Sequence, residues 1–400
     1  MNNIKKYSFS ELYEMSSGIS TTKAQAGHGH PFVSFGTVFN NYFLPEQLPD
    51  LMDTSEKEQD IYSIKEGDIL ITRTSETIDE LAMSCVATKD YPEATYSGFT
   101  KRLRPKTTGI AYHKYLAFYL RGYLFRKAVT NNAFMTLRAS FNEDIFSFLN
   151  LYLPEYQEQV KIGDMLYNME RKISLNKKIS SELEAMAKTL YDYWFVQFDF
   201  PDENGKPYRT SGGEMVWNEQ LKRKIPKGWG VVRICDIADL YQPKTISGSD
   251  MVENGLYNVY GANGIIGKYN SYNHENRTIA ITCRGASCGN FLMTLPKAWI
   301  TGNAMVVSPH AETSQEYLYY TLSKDRISPF ITGSAQPQIT RENLSNLLVV
   351  IANEKNMAEF SAFANVVRSI IESKAKENHE LTKLRDWLLP MLMNGQATVE

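Results

Sequence analysis

Four groups of residues in this 400-residue chain have types and spacings that suggest reactive chemistry. Gly261-Ala-Asn-Gly-Ile-Ile-Gly267-Lys268-Tyr269 approaches a phosphate-binding loop. Its first glycine stands one residue too far from Gly267-Lys268, and Tyr269 replaces the Ser or Thr that would meet magnesium, so the segment reads as a turn. Pro201-Asp202-Glu203-Asn204-Gly205-Lys206 is acidic enough for a metal-dependent nuclease, but it lies in a Pro- and Gly-rich stretch, and that chemistry needs carboxylates held on a rigid core. His28 and His30 have no carboxylate or cysteine cluster to complete four metal ligands, so a surface loop is expected there. Cys85, Cys235, Cys283 and Cys288 form no Cys-x-x-Cys pair and read as buried or semi-buried free thiols. No Gly-rich loop followed by an Asn-Pro-Pro-aromatic motif is present, so the chain is not expected to bind S-adenosylmethionine. A non-catalytic protein without cofactor or metal is the expectation.

Composition narrows the class further. With 43% hydrophobic residues the chain can bury two cores of ordinary domain size. The formal net charge of -2 excludes a strongly basic protein that coats nucleic acid by bulk charge, so any nucleic-acid contact must come from local patches or partners. No run approaches the roughly 20 apolar residues of a membrane span, and MNNIKKYSFSELYEM lacks the apolar core of a signal peptide, which makes the cytoplasm the expected location.

The elements that would position any site occur twice. Tyr115 to Phe195 runs helix, polar loop, short apolar strand and long amphipathic helix, and Tyr317 to Leu389 repeats that order. Tyr115-Leu116 matches Tyr317-Leu318, Ile145 matches Leu344, and Leu190–Phe195 matches Leu384–Leu389, the offset drifting from 202 to 194 residues. A period near half the chain indicates two domains of one design. The expected order is an α+β domain over residues 1–152, a long helix over 153–199, a linker over 200–224, a second α+β domain over 225–350 and a second long helix over 351–400. Within the first domain a strand near Gly67–Thr72 and a helix from Lys114 to Thr130 are expected.

Both helices carry narrow apolar stripes spaced by threes and fours: Ile162, Met165, Met169, Ile173, Ile179, Leu183, Met186, Leu190 and Tyr193 in the first, and Phe360, Phe363, Val367, Ile370, Ala375, Leu381, Leu384, Leu388 and Met391 in the second. About 39 helical residues make roughly 58 Å, longer than one compact domain needs, so each helix should pack against the other. Asn176 and Asn378 interrupt the stripes. They either form a polar pair that fixes the register of a buried seam or face solvent.

Several segments then resemble the DNA specificity (S) subunit of type I restriction-modification systems. They are Leu153-Pro-Glu-Tyr-Gln-Glu-Gln-Val160, the helix end Leu190-Tyr-Asp-Tyr-Trp-Phe195, Gly205-Lys-Pro-Tyr-Arg-Thr-Ser-Gly-Gly213, Ile225-Pro-Lys-Gly-Trp229, Tyr257-Asn-Val-Tyr-Gly-Ala-Asn-Gly-Ile-Ile-Gly267 and Gly333-Ser-Ala-Gln-Pro-Gln-Ile-Thr340. The second half departs from the pattern at Asn353-Glu354-Lys355, where the helix starts differently, and the first domain has no evident Gly-rich counterpart of 261–267. The resemblance implies two target recognition domains, each reading half of a bipartite site in double-stranded DNA, separated by two antiparallel helices that form a coiled-coil-like spacer. Helix length would then limit the separation of the readers to about 17 base pairs. Two methyltransferase subunits would dock on the outer helix faces, and restriction (motor) subunits would join them. The other reading is a structural adaptor that uses the helix pair and binds no DNA.

DNA contact calls for Lys or Arg at phosphates and for Arg, Lys, Asn or Gln at base edges. The candidates in the first domain are the cluster Lys101, Arg102, Arg104 and Lys106 with Arg73 and Arg138, each of which could equally belong to a solvated face. In the second domain they are Lys244, Asn263, Lys268 and Arg284 in Gly- or Ser-rich loops, with Gln336 and Gln338 flanking Pro337.

Overall fold

Duplication in the sequence becomes duplication of topology. The computed structural model describes residues 4–399 except 133–138, 254, 262, 312–314 and 323. The chain divides into two units, Met1–Asn176 with Ala375–Glu400, and Lys177–Lys374.

In the first unit the strands are β1 (Lys5–Ser8), β2 (Tyr13–Ser17), β3 (Ala26–Val33), β4 (Asp50–Met52), β5 (Ile69–Thr72), β6 (Ser84–Val86), β7 (Thr95–Tyr96), β8 (Thr100–Pro105) and β9 (Asn150–Leu153). They form a four-stranded sheet β2-β8-β5-β6, a three-stranded sheet β4-β3-β7 and the pair β1-β9. Helix α1 (His113–Tyr119) and the first part of the long helix α2 (Tyr156–Tyr191) cover the larger sheet. The second unit holds β10 (Gly230–Arg233), β11 (Ala238–Tyr241), β12 (Tyr257–Gly261), β13 (Gly264–Tyr269), β14 (Ile279–Thr282), β15 (Phe291–Met293), β16 (Trp299–Ile300), β17 (Ala304–Pro309) and β18 (Leu348–Ile351), with α3 (Gln315–Thr321) and the start of α4 (Glu354–Met393). Its sheets include β11-β17-β14-β15, β13-β12-β16 and β10-β18, so each of these three sheets matches one in the first unit strand for strand. Even the parallel pairs match, β3 with β7 and β12 with β16.

The central strands explain the layering. Ile-Leu-Ile of β5 is apolar on both faces: Ile69 and Ile71 join the core with Tyr115, Leu116 and Phe118, and Leu70 joins a second core with Cys85 and Tyr96. β14 splits the same way, Ile279 and Ile281 packing with Tyr317 and Leu318 and Ala280 with Tyr260 and Val306. A strand buried on both sides reads as a continuous apolar run rather than an alternating one. The helix expected over Lys114–Thr130 is two helices, ending at Tyr119 and restarting at Tyr123. Gly122 disfavours continuation, and Arg121 is drawn aside to donate to the carbonyls of Val38, Phe39, Asn41 and Ser84.

Each unit takes helix segments into its own core. In the first, Ile162 and Leu166 of α2 and Leu392 of α4 are buried with Tyr115 and Leu153. In the second, Tyr191, Phe195, Phe360 and Ala364 are buried with Tyr317 and Leu344. Polar contacts fix these seats. Asp164 of α2 accepts from Lys114 at 2.8 Å and from the Tyr112 hydroxyl at 2.7 Å. In the second unit Arg368 of α4 donates twice to Glu316 of α3, at 2.7 and 3.0 Å, and Glu316 is only 1% exposed. Arg277 also pairs with Glu372 at 2.8 Å.

Within the first unit the two helices run antiparallel and the asparagine seam is real. Asn176 is buried and donates to the Asn378 side chain at 2.9 Å, while the Asn378 amide donates to the Ile173 carbonyl at 3.3 Å. Lys172 with Glu377 and Arg385 with Glu170 bracket the pair. The stripes need correction elsewhere. Ile179, Met186, Tyr193, Ile370, Ala375 and Leu384 are exposed, and Leu166, Ala187, Tyr191, Ala364 and Leu392 are buried instead. Local sheet and loop packing, rather than one uniform helix seam, sets which residues lie inward. Residues 200–224, expected as a linker, are also structured: Met215–Asn218 pairs with Arg223–Pro226, and Phe200 stacks between Tyr208 and Trp229. Asp202, in the acidic cluster, caps a tight turn by accepting from the Asn204 and Lys206 amides at 2.8 Å.

The buried pair sets a stability expectation. Arg368→Met leaves the Glu316 carboxylate uncompensated and should cost about 3–5 kcal/mol. Urea unfolding followed by tryptophan fluorescence checks this, and an unchanged midpoint would show that the pair does not hold α4 to α3.

Candidate nucleic-acid interface

The corresponding ends of the two four-stranded sheets gather half of the candidate residues. In the first unit this end is formed by Ser17 at the close of β2, Arg73 after β5, and the turn Ser97-Gly98-Phe99-Thr100 before β8. In the second it is formed by Gln242 and Lys244 after β11, Cys283 and Arg284 after β14, and the turn Thr301-Gly302-Asn303-Ala304 before β17.

The basic cluster of the first unit is divided by its strand. Successive side chains of β8 point to opposite faces. Arg104 donates to Asp68 from Nε at 2.8 Å and from Nη2 at 2.6 Å, and Asp68 is 0% exposed. Arg102 donates to the Ser63 carbonyl at 2.5 Å and lies over the Tyr96 ring. These two arginines are committed to the fold. Lys101 lies on the other face, donating to Ser17 Oγ at 2.8 Å. Burial and then the neighbouring Arg73 lower its pKa, with Glu143 opposing. Lys101 and Arg73 thus stand as two neighbouring cations at this sheet end, an arrangement that favours an anion. Arg73 is exposed, with its guanidinium 3.5 Å from the Gly98 carbonyl. Lys106 is exposed at the opposite end of β8 and donates to the Ser10 carbonyl at 2.9 Å. Arg138 lies outside the described residues.

In the second unit Arg284 and Gln338 form a backbone bridge, and Gln338 exchanges hydrogen bonds with Thr332 at 2.9 and 2.8 Å. Gly333, with φ +87°, closes that loop where an L side chain would be strained. Arg284, Gln336 and Gln338 are therefore gathered on one rigid loop pair, all exposed. Gln242 donates to Cys283 Sγ at 3.0 Å, which brings the Lys244 loop alongside. Asn263 is exposed at the tip of the β12–β13 hairpin, while Lys268 lies near its other end, opposite Asn258. Among the described residues, Lys244, Asn263, Lys268, Arg284, Gln336 and Gln338 make no side-chain hydrogen bond or ion pair.

The residues considered for other chemistry have local partners. His28 and His30 are beside Asp53 and Glu93, at 4.0 and 3.1 Å. Cys85, Cys283 and Cys288 are buried, and burial pushes the Cys85 thiol up to about 12. Among the described residues no group of three or more His, Cys, Asp or Glu could hold a metal ion. No described helix is long and apolar enough to cross a membrane.

The sequence matches the family model for the type I restriction modification DNA specificity domain over residues 1–185 and again over 226–383. The chain belongs to this family. It is 22% identical over 381 residues to the type I restriction enzyme MjaIX specificity subunit of Methanocaldococcus jannaschii, covering 88% of this chain and 82% of that one. It is 24% identical over 329 residues to the HindI specificity subunit of Haemophilus influenzae, covering 63% and 70%. Its fold is similar to that of the type I restriction-modification S subunit from M. genitalium, with a TM-score of 0.62, 16% identity and coverage of 98% and 96% of the two chains.

In this specificity subunit the structure also brings forward two residues that composition did not single out, Phe99 and Asn303. They occupy matching places in the turns before β8 and β17, and both are exposed. The paired tetrapeptides Ser97-Gly-Phe-Thr100 and Thr301-Gly-Asn-Ala304 were the available signal.

The division of the basic cluster separates two kinds of variant. Arg104→Ala should lower the urea midpoint, because Asp68 is left buried without its partner. Lys101→Ala should leave the midpoint unchanged and reduce the salt dependence of DNA binding by about one phosphate contact. An unaltered salt slope for Lys101→Ala would remove that lysine from the interface.

Proposed function

We propose that this specificity subunit reads a bipartite, gapped site in double-stranded DNA, one half with each unit, and does no chemistry itself. The observation that carries this reading is the loop pair of Arg284 and Gln338. Long, exposed donors without partners stand on rigid backbone at the end of a sheet, and the matching end of the other unit carries Arg73 and Lys101. Arginine suits paired acceptors on guanine and glutamine those on adenine, while lysine suits phosphates. Lys101, Arg73, Lys244, Asn263, Arg284, Gln336 and Gln338 are the contact residues favoured by placement. Arg102 and Arg104 support the strand that presents Lys101.

With a net charge of -2, the subunit has little bulk attraction for DNA. We assign the remaining affinity to the methyltransferase subunits, two of them, with restriction subunits joining the assembly. Exposed apolar residues on the long helices support their docking: Leu175, Ile179 and Met186 on α2, and Val366, Ile370, Leu384 and Trp387 on α4. Apolar groups of this size in water mark interaction surfaces when they recur along one element. An adaptor that binds no DNA would not need the exposed loop donors.

Arg284→Ala tests the reading. The variant should assemble with the methyltransferase as the parent does, while its sequence-specific DNA binding falls about tenfold, the lower part of what one base contact supplies. Mapping adenine methylation in cells expressing the complex gives the direct readout. Full retention of the parental motif and rate by Arg284→Ala would exclude this loop from recognition, and the lack of any gapped motif with the parent chain would favour the adaptor.

A further inference from the structure

The two units present different side chains from the same rigid turn. Before β8, Ser97 accepts from the Thr100 amide at 2.9 Å through its carbonyl and from the Phe99 amide at 3.2 Å through its hydroxyl. Before β17, the Thr301 carbonyl accepts from the Ala304 amide at 3.0 Å. In both turns the third residue gives its carbonyl to the strand end beside it: Phe99 accepts from the Arg73 amide at 2.9 Å and Asn303 from the Cys283 amide at 3.3 Å. The glycine between is forced by close packing. A Cβ at Gly98 would lie 3.0 Å from the Ile19 carbonyl oxygen, and one at Gly302 would lie 2.8 Å from the Pro243 carbonyl oxygen. The turn is thus braced against the loop that follows β2 or β11, and its third side chain is turned to solvent.

Those third residues have opposite chemistry. Phe99 is 63% exposed and, with Phe35 and Phe39, lines an open recess of about 470 Å³ whose rim includes Thr74 and Glu80. A phenylalanine held out on a rigid turn beside Arg73 and Lys101 is costly in water and has no donor or acceptor to offer. The apolar feature on the edge of a duplex base in the major groove is the thymine methyl group. Asn303 is exposed beside the Arg284 loop and makes no side-chain hydrogen bond among the described residues. Its amide has the donor and acceptor geometry to pair with adenine N6 and N7.

We infer that the third residue of this turn is a base-reading position in each unit, Phe99 taking a thymine methyl in one half-site and Asn303 an adenine in the other. This rests on the DNA-reading function proposed above. It makes the repeated turn a matched pair of specificity determinants whose difference contributes to an asymmetric site.

The test uses the full subunit assembled with its methyltransferase, first to establish the parental methylation motif and then to repeat the mapping with Phe99→Ala and Asn303→Ala. Each variant should relax one half-site only, and the two should affect opposite halves. On parental DNA, replacing the relevant thymine by deoxyuridine should weaken binding of the parent complex about tenfold and leave Phe99→Ala unaffected, and 7-deazaadenine should do the same for the parent and Asn303→Ala. If Phe99→Ala fails to assemble, Phe99→Leu, which keeps an apolar group at the tip, should assemble and retain the thymine preference. Unchanged motifs in both alanine variants, or relaxation of the same half by both, overturn the inference. A parent complex without any gapped motif would instead overturn the underlying function.

Discussion

Neither sheet core of this protein is closed by the strands around it. The inner faces of β5 and β14 meet α1 and α3, but completion requires helix segments from distant parts of the chain: Ile162, Leu166 and Leu392 in one unit, and Tyr191, Phe195 and Phe360 in the other. Burying each such side chain contributes about 1.5–3 kcal/mol, so an unseated helix leaves each core short by several residues' worth of hydrophobic stabilisation. Polar contacts then select one seating. Lys114 with Asp164 and Arg368 with Glu316 join the short helix of each unit to a long one. A slipped arrangement that leaves the buried Glu316 charge unpaired is strongly unfavourable, while the partly exposed Lys114–Asp164 pair adds a smaller preference.

The same economy of polar groups separates supporting residues from exposed ones. Asp68 pairs with Arg104, and the Ser63 carbonyl accepts from Arg102, so two of the four cations in this densest basic stretch of the sequence are held by the fold. Cations without a carboxylate partner lie at the sheet end. There burial, and then Arg73, lower the proton affinity of Lys101, and Arg284 stands beside Gln338 on a loop pair tied by backbone hydrogen bonds. Rigid presentation matters because an immobile donor loses little freedom on meeting a base or phosphate.

Much of this architecture was legible in the sequence. The repeat of Tyr115-Leu116 in Tyr317-Leu318 reported two copies of one topology, and the two asparagines in otherwise apolar stripes left a polar seam or a solvent face open, of which the structure has the seam, closed between Asn176 and Asn378. The stripes themselves were legible only in part: Ile162, Ile173, Phe360 and Val367 are buried as expected, but the sheet and loops also decide which residues turn inward, so Ala187 and Tyr191 are buried where Met186 and Tyr193 were expected. The basic cluster was misleading for a related reason. Strand alternation separates neighbours in sequence, and the partner of Arg104 lies 36 residues away. The turns before β8 and β17 escaped notice because their relationship depends on hydrogen bonds to other strands, while their sequences share little beyond a small hydroxyl residue and a glycine.

Division of the first unit between Met1–Asn176 and Ala375–Glu400 has a consequence for synthesis. The second unit is one unbroken segment, Lys177–Lys374, and its residues have all been joined before Ala375–Glu400 follow. On the ribosome the sheets of the first unit are therefore made before those of the second and completed after them. Until Leu392 arrives, the nascent amino-terminal half waits with its apolar seat open, while the later-made half already has every residue it needs.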